Sequence, residues 1–467
     1  MGELPGEHAA AQRSALLVLV LLLPGPQHVG AQVATPAPEP GPKKEKSADR
    51  STGLPHWIDW TFNFDASWGT FGFANSLFQN PREGVKEDLS DQWSEGYVKP
   101  ALSGSHRLAS SSELYGKLSA IGERTYGAAP RLVGSDYSSF QVEDLAIGWR
   151  SGHAFERLGE NALDFSAGRV PYSIGHGLLL YDGAADGGSR GGYWTNPRRA
   201  FQFGAIGRFK PGRHRVEAFY LDKDDLPEEE TGTRLWGTNY ELRFDEHTTF
   251  GATYMKLFAH ADVLPRRDRL NVFNARAYTA PLPSLRDLSF ELEYVAERNS
   301  DVLHSNAWTL KGTYELSGLT WKPRLSYRYA SFQGDNPDTK RSERFDPLLP
   351  GFEDWGNWFQ GEIAGEYFLA NSNLNSHQLR AHVTPSESLD GGLIFYRFSL
   401  DQLRSFIPTV TDKHLAVETD AYIEWKLNDA LTLSFVAAFA NPGEAVRQAF
   451  NRTKPFTYGM VLVAYSY

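Results

Sequence analysis

The sequence predicts an all-β protein, a single transmembrane antiparallel β-barrel of about 18 strands with long external loops and short periplasmic turns. Three observations predict it. Segments of about ten residues alternate between apolar and polar side chains, which is the period of a β-strand. The links between these segments are alternately long and short, and the chain ends on an alternating segment, 458–467, that closes with Tyr467. Tilted strands need about ten residues to cross a bilayer, whereas strands of soluble sandwiches usually have five or six.

The composition agrees with a barrel and excludes two other classes of protein. The chain has 467 residues, a formal net charge of −10, 13% aromatic residues and no cysteine. Its mean hydropathy of −0.43 is too polar for a bundle of membrane helices, but a barrel touches lipid with alternate residues only. The absence of cysteine excludes disulfides and thiolate metal sites, and the acidic balance offers no basic surface for nucleic acid.

The N-terminus has the features of a signal peptide. Arg13 precedes the apolar run 15–23, which is much shorter than the roughly 20 residues of a membrane helix. The small residues Val29 and Ala31 fit cleavage after Ala31. We therefore predict a signal peptide at 1–31, a disordered periplasmic lead-in at 32–55, which is rich in proline and lysine, and a barrel at 56–467.

Alternation identifies the individual strands. In the first strand, apolar side chains from Trp60 to Trp68 occupy every second position. The last strand, with its terminal aromatic, resembles the C-terminal signature of bacterial outer-membrane barrels, which places the protein in that membrane with both termini periplasmic. Other clear strands lie at 288–297, 308–315, 321–330 and 417–427.

The side of each loop follows from the periplasmic C-terminus. The long loops are then external and lie near 75–93, 126–139, 174–199, 222–233, 259–269, 299–305, 331–375, 400–415 and 441–456. The short periplasmic links lie near 104–112, 151–161, 210–213, 245–248, 280–287, 316–320, 385–390 and 428–430. The segment 358–367 would break this alternation if it crossed the membrane. We therefore assign it to the long external loop, where it can be helical.

Parity along the strands assigns side chains to the lumen. Apolar residues face lipid, so their polar neighbours face water. The cations predicted to line the pore are Lys117, Arg150, Arg243, Arg276, Lys311, Lys322, Arg324, Arg328, Arg380 and Arg397. The acids predicted to face inward are Glu113, Asp144, Glu241, Glu291, Glu293, Glu297, Glu315, Glu418, Asp420 and Glu424.

These inward charges have two interpretations, and the sequence leaves both open. They can be cross-strand pairs that stabilise a wet barrel wall. Alternatively, a subset of the cations forms a constriction that attracts anions. The best local case for a constriction is 321–330, because Lys322, Arg324 and Arg328 share one face without a carboxylate among them.

A Gly-rich segment at 168–201 contains a long loop between two predicted strands. It either folds inward as a gate or constriction, or remains an external loop without a gating role. The gating candidates are Gly175, Gly177, Asp182, Asp186 and Arg190. Asp182 and Asp186 have the oxygen ligands that Ca²⁺ prefers, but a solvated turn is favoured, and we predict no metal and no cofactor. The run 187–191 formally matches G-x-S-x-G yet lacks the flanking strand and helix of a nucleophile elbow, so we predict no enzyme.

A strand that ends in Gly168-Arg169, followed by the GHGLL stretch at 175–179, resembles the alginate export family of outer-membrane proteins. The runs 357–374 and 376–398 are similar to a later hairpin of that family. The resemblance implies an 18-stranded barrel with an arginine-rich pore for an anionic exopolysaccharide, and it adds Arg169 to the pore-lining candidates. Parity places Arg169 on the lipid face unless a bulge at Gly168 turns it inward.

The resulting hypothesis is an outer-membrane channel that passes anionic polysaccharide or other anionic solutes. The alternatives are a general porin for small solutes and, from another class, a barrel enzyme or an adhesin. The expected partners are outer-membrane lipid, the cargo and, as an option, periplasmic export components. Both a monomer and a trimer remain open.

Overall fold

The computed structural model describes residues 57–76, 90–108, 111–127, 129, 136–282, 284–300, 302–351, 355, 360–403 and 410–467. The predicted signal peptide and lead-in lie outside these residues. Eighteen antiparallel strands form one closed sheet, in which each strand pairs with its sequence neighbours and the first pairs with the last. Among the described residues, no helix is both long and apolar enough to cross a membrane.

The strands match the prediction in number and order. They are β1 Asp59–Ala74, β2 Asp91–Arg107, β3 Glu113–Gly127, β4 Tyr137–Arg150, β5 Leu163–Arg169, β6 Phe203–Phe209, β7 His214–Asp222, β8 Arg234–Arg243, β9 Thr248–Phe258, β10 Asn271–Thr279, β11 Leu288–Asn299, β12 Leu303–Glu315, β13 Arg324–Phe332, β14 Leu374–Ser386, β15 Leu389–Leu400, β16 His414–Lys426, β17 Leu431–Pro442 and β18 Phe456–Ser466. Within the described residues, three short helical segments lie between strands: a 3₁₀ turn at Glu156–Leu158, a π-helical turn at Gly361–Gly365 and the helix α1 at Glu444–Phe450.

Two details of the strand prediction have clear outcomes. The π-helical turn Gly361–Gly365 lies in the loop between β13 and β14, so the described part of 358–367 does not cross the membrane. The strand predicted at 321–330 begins three residues later, at Arg324. Trp321 and Lys322 have positive φ angles of 69° and 41°, so they form the preceding turn instead of extending the strand.

The terminal strand closes the barrel as its alternation predicts. Val461 and Val463 are 47% and 38% exposed on the outer face, whereas the alternate residue Leu462 is fully buried. Tyr467 and Phe64 exchange backbone hydrogen bonds of 2.9 and 3.0 Å, which join the two ends of the barrel.

Apolar side chains fill much of the lumen at the external ends of the strands. Phe71 of β1 stacks on Trp93 of β2 with ring centroids 4.7 Å apart, and Trp93 also meets Tyr367 from the loop between β13 and β14. Trp194, from the loop between β5 and β6, is fully buried beside Phe71. Long loops therefore fold into the barrel and give its external half a core. This core explains why several inward positions are apolar.

Candidate functional site: a charged cavity beneath an internal loop

The loop between β5 and β6, residues 170–202, lies inside the barrel, and we call it the inner loop. A wall carboxylate, Glu95 of β2, accepts backbone hydrogen bonds from three consecutive residues of this loop. The donors are Tyr193, Trp194 and Thr195, at 2.9, 2.6 and 2.7 Å. Buried backbone N–H groups need acceptors, and a carboxylate is a strong one. Glu95 therefore fixes the middle of the inner loop to the wall.

A second wall carboxylate holds the end of the inner loop. Glu143 of β4 accepts hydrogen bonds from the backbone of Arg199 and Ala200 at 2.7 and 2.8 Å. Glycine is required where the loop approaches the wall closely. Gly192 has φ +71°, and a Cβ there would lie 2.6 Å from Oε1 of Glu123.

Three arginines surround one carboxylate next to the inner loop. Asp224 lies 2.5 Å from Arg169, 3.0 Å from Arg190 and 2.5 Å from Arg198. Burial alone would raise the pKa of Asp224, but the arginines, Arg198 foremost, hold it below its usual value. This cluster ties the inner loop to the loop between β7 and β8, and its guanidinium charges outnumber its carboxylates.

Arg169 reaches this cluster because the chain turns at Gly168. Gly168 has φ +125°, and a Cβ there would lie 2.1 Å from the backbone oxygen of Leu145. Phe165, three residues before Gly168 on the same strand, stays on the outer face and is 51% exposed. Arg169 therefore turns inward through the positive φ of Gly168, while the pairing of β5 with β4 and β6 stays in register and shows no bulge there.

The gating candidates all lie in the inner loop, inside the barrel. Asp182 accepts a hydrogen bond from Asn196 at 3.0 Å, and Asp186 accepts one from the backbone of Arg198 at 3.0 Å. Burial raises the pKa of Asp182 to about 7 and also raises that of Asp186. Gly175 and Gly177 both have positive φ, and Gly177 accepts a hydrogen bond from the backbone of Gly351. In the described part of the chain, no group of three or more histidine, aspartate or glutamate side chains is arranged to hold a metal ion.

A cavity of about 610 Å³ lies beneath the inner loop, on its periplasmic side. Its position follows from Arg208 and Arg215, which flank the periplasmic turn between β6 and β7. The charged residues that line it are the cations Lys99, Lys117, Arg199, Arg208 and Arg215 and the acids Asp65, Glu143 and Asp144. The lining thus carries five positive and three negative side chains.

Two of the three acids of the cavity, Glu143 and Asp144, are committed to structural contacts. Besides the two backbone donors, Glu143 accepts a hydrogen bond from the guanidinium of Arg198 at 3.2 Å. Asp144 pairs with Lys117 at 3.0 Å and accepts a hydrogen bond from Ser119 at 2.6 Å. Lys99 is held more loosely, because its ammonium lies 3.9 and 4.0 Å from the carboxylates of Asp144 and Glu143. The ammonium of Lys99 is therefore available to a solute.

The two cavity arginines on β6 and β7 are oriented by carboxylates behind them. Arg208 lies 3.1 Å from Asp164 and 3.2 Å from Glu217. Arg215 also contacts Glu217, at 2.8 Å. The fifth cation, Arg199, places its guanidinium 3.3 Å from the centre of the Tyr181 ring.

The structure distributes the predicted pore-lining cations over the barrel instead of bringing them together. Of these cations, Lys117 is the one that lines the cavity. Six others point inward as expected but pair with the wall or lie buried in it: Arg150 with Glu113, Arg276 with Glu241, Lys311 with Glu291, Arg324 with Glu315, Arg380 with the Tyr422 hydroxyl, and Arg328, which is 1% exposed. Arg243 is exposed at the periplasmic end of β8. The prediction that Lys322, Arg324 and Arg328 share one inward face without a carboxylate is therefore wrong, because Lys322 precedes the strand and Arg324 lies 3.4 Å from Glu315.

Two of the cations predicted to line the lumen do not face it. Lys322 lies in the exposed turn before β13, not on the wall. Arg397 faces outward, because it shares the exposed face of β15 with Leu393 and Phe395. Both faces of β15 are apolar at 393–398, so parity alone could not assign its sides.

Sequence reasoning also missed four of the cavity cations, Lys99, Arg199, Arg208 and Arg215. In β7, the alternation of Arg215 and Glu217 with Val216 and Ala218 was a usable signal for an inward Arg215. The apolar residues Phe219 and Leu221 at the next inward positions obscured it. Lys99 stands among glycine, tyrosine and proline, where alternation is weak. Arg199 belongs to the inner loop, which has no parity to read.

Comparisons with known proteins agree with this architecture. A family model described as alginate export matches residues 194–459, more than half of the chain. The chain belongs to the alginate export family. No curated protein matches this member of the family in sequence.

Solved structures with the same fold are outer-membrane Occ and Opd porins. OccAB2 of Acinetobacter baumannii is 12% identical, with a TM-score of 0.57 over 89% of this chain and 99% of that chain. OccK5 (OpdH) of Pseudomonas aeruginosa is 10% identical, with a TM-score of 0.55 over 87% of this chain and 97% of that chain. OccK7 (OpdD) of Pseudomonas aeruginosa is 13% identical, with a TM-score of 0.54 over 88% of this chain and 99% of that chain.

Family and fold together identify this alginate export family member as an outer-membrane channel and not an enzyme. Its outer face contacts membrane lipid and its lumen passes solutes. The charges that line the cavity indicate which class of solute the channel favours.

Proposed function

We propose that the channel passes anionic solutes, with an anionic polysaccharide of the alginate type as its cargo. The observation that carries the proposal is the excess of cations around the cavity of about 610 Å³, five against three acids. A water-filled space between low-dielectric walls focuses the field of such charges and lowers the barrier for ions of opposite sign.

The contacts of the acids strengthen this argument. Glu143 accepts a hydrogen bond from the backbone of the inner loop, and Asp144 contacts Ser119 and Lys117. The hydrogen atoms of Lys99, by contrast, have no acceptor at close range in the described wall. A passing carboxylate can therefore exchange with water at Lys99 without breaking a strong ion pair.

The inner loop makes the cavity selective as well as charged. It lies across the lumen between β2, β4 and the loop after β7, so solutes pass close to Lys99 and Arg199. We propose that this loop is the constriction of the channel. The cavity cations are then successive binding positions for the solute on the periplasmic side of the loop.

Reversal potentials in planar bilayers under a salt gradient test the proposal. The wild-type protein should give discrete conductance steps and favour anions. Replacing both Lys99 and Lys117 with glutamine should move the reversal potential toward cation selectivity, because two charges leave the constricted path. Lys322→Gln is the control, since it makes the same type of substitution once, in a turn outside the lumen. A cation-selective wild type, or equal reversal potentials for the double variant and the control, would contradict the proposal.

The polymeric cargo needs a separate test. Oligouronates added on the periplasmic side should interrupt the current for longer as their length increases, because more carboxylates meet the cavity cations. Neutral oligosaccharides of the same length are the control. Equal interruption by both series would instead favour the alternative, a general porin for small solutes.

A further inference from the structure

Arg397 lies on the lipid-facing side of the barrel close to its external rim. It shares the exposed face of β15 with Leu393 and Phe395, which are 58% and 43% exposed. The strand ends at Leu400, so Arg397 is about 10 Å below the rim along the strand. A cation near the interface costs little, whereas the same cation at the middle of the bilayer is strongly destabilising. Its position is therefore that of the lipid headgroups of the external leaflet.

Other basic groups gather around Arg397. His377 is directly opposite on β14, exposed, with its Nδ1 2.8 Å from the Tyr327 hydroxyl. A register shift between Phe398 and Ser399 brings His414 of β16 opposite Ser399. Arg397 and Arg447 of α1 are both electrostatic neighbours of His414.

Asp412 also acts on His414 from nearby. In the described part of the chain, neither Arg397 nor Arg447 forms an ion pair or a side-chain hydrogen bond. Asp412 accepts the backbone N–H of His414, and Glu444 accepts a hydrogen bond from Gln448. The guanidinium groups of this basic cluster, Arg397, Arg447, His377 and His414, are therefore available to an anion from outside the chain.

The surface below the cluster is apolar and suits acyl chains. Leu379 and Leu393 are 55% and 58% exposed on adjacent strands, and Phe395, directly opposite Leu379, lies between Leu393 and Arg397. A ligand that matches both parts carries a phosphate at the level of Arg397 and hydrocarbon beneath it. We propose that this cluster binds the phosphate of a phosphorylated glycolipid in the external leaflet of the outer membrane.

Binding of lipid A to the purified protein in neutral detergent tests this site. Lipid A with its phosphates and enzymatically dephosphorylated lipid A with the same acyl chains are compared by native mass spectrometry. The phosphorylated form should bind more tightly to the wild type. Replacing either arginine with glutamine should weaken the binding of phosphorylated lipid A about fivefold, and replacing both should weaken it about 25-fold. Binding of the dephosphorylated form should change little.

Two further variants keep the test decisive. Replacing both arginines with lysine retains the charge and should preserve most of the binding, so it answers the question even if the glutamine variants fold poorly. Lys322→Gln removes a charge from the periplasmic turn and should bind like the wild type. Equal affinity of the wild type for the two lipids would overturn the proposal, as would unchanged binding by the folded double glutamine variant. The site is independent of the cargo, because these arginines lie outside the lumen and their removal should leave the reversal potential unchanged.

Discussion

Removal of the Glu95 carboxylate should release the inner loop. Glu95 accepts the backbone N–H groups of Tyr193, Trp194 and Thr195, and all four residues are buried. In Glu95→Ala these three donors lose their acceptor inside the barrel. The closed position of the loop then has unsatisfied polar groups, whereas an open position returns them to water.

The contacts give the size of the effect. A buried unsatisfied donor costs about 1–3 kcal/mol, so three donors would cost about 3–9 kcal/mol. The variant also avoids burying a carboxylate, which offsets part of this cost. We expect a net shift of about 3 kcal/mol toward the open loop. Glu95→Gln should shift it by only about 1 kcal/mol, because an amide oxygen can still accept from Trp194 and Thr195.

Cysteine labelling measures the position of the loop directly. The chain contains no cysteine, so Thr195→Cys provides a single thiol in the middle of the inner loop. Thr195 is 4% exposed, and a membrane-impermeant maleimide should label its replacement slowly in the otherwise unchanged protein. Labelling should be at least about tenfold faster with Glu95→Ala, intermediate with Glu95→Gln, and accompanied by a larger conductance.

Asp91→Ala supplies the matched control. It removes a carboxylate from the same strand, at its exposed external end, where Asp91 accepts a hydrogen bond from the backbone of its neighbour Gln92. Equal labelling rates for the Glu95→Ala and Asp91→Ala proteins would refute the idea that Glu95 holds the loop.

Three further predictions concern stability. Gly168→Ala should destabilise the barrel by about 1–3 kcal/mol and free Arg169 from Asp224, because the added Cβ meets a backbone oxygen at a positive φ; an unchanged thermal midpoint would be inconsistent with this strain. Burial raises the pKa of Asp182 to about 7, so its contribution to stability is full below about pH 4 and is lost as pH rises toward 7; denaturant titrations should show this slope in the wild type, and Asp182→Asn should remove it. Leu462→Ala should cost about 2–5 kcal/mol by opening a cavity in the buried core, and a cost below about 1 kcal/mol in urea unfolding would show that the core around Leu462 is not packed.

Much of the fold could be predicted because strand geometry repeats every two residues. Alternation from Trp60 to Trp68 and again through 458–467 marks strands that face lipid on one side, and the terminal strand sets the side of every loop. Loop lengths then separate spanning segments from the helical segment near Gly361. The number of strands and their order follow from these local features, which one sequence displays in full.

The site could be predicted only in part, because parity states which face a residue occupies and not what it meets there. The guanidiniums of Arg276 and Arg328 do point inward, but they are buried in the wall. Local backbone distortions also change the assignment, as the positive φ of Lys322 and of Gly168 shows. Arg397 was assigned to the wrong face because both faces of its strand are apolar and a charge near the rim costs little on the lipid side.

The sequence by itself determined the barrel, its strand order and its orientation, since each depends on spacing along a short stretch of chain. Only the tertiary structure decided that the inner loop lies inside the lumen, because that outcome depends on contacts between distant residues. Glu95 and Trp194 are 99 positions apart, and nothing local to either residue identifies the other. The same long-range folding brought Lys99, Arg208 and Arg215 around one cavity and left Arg397 facing lipid.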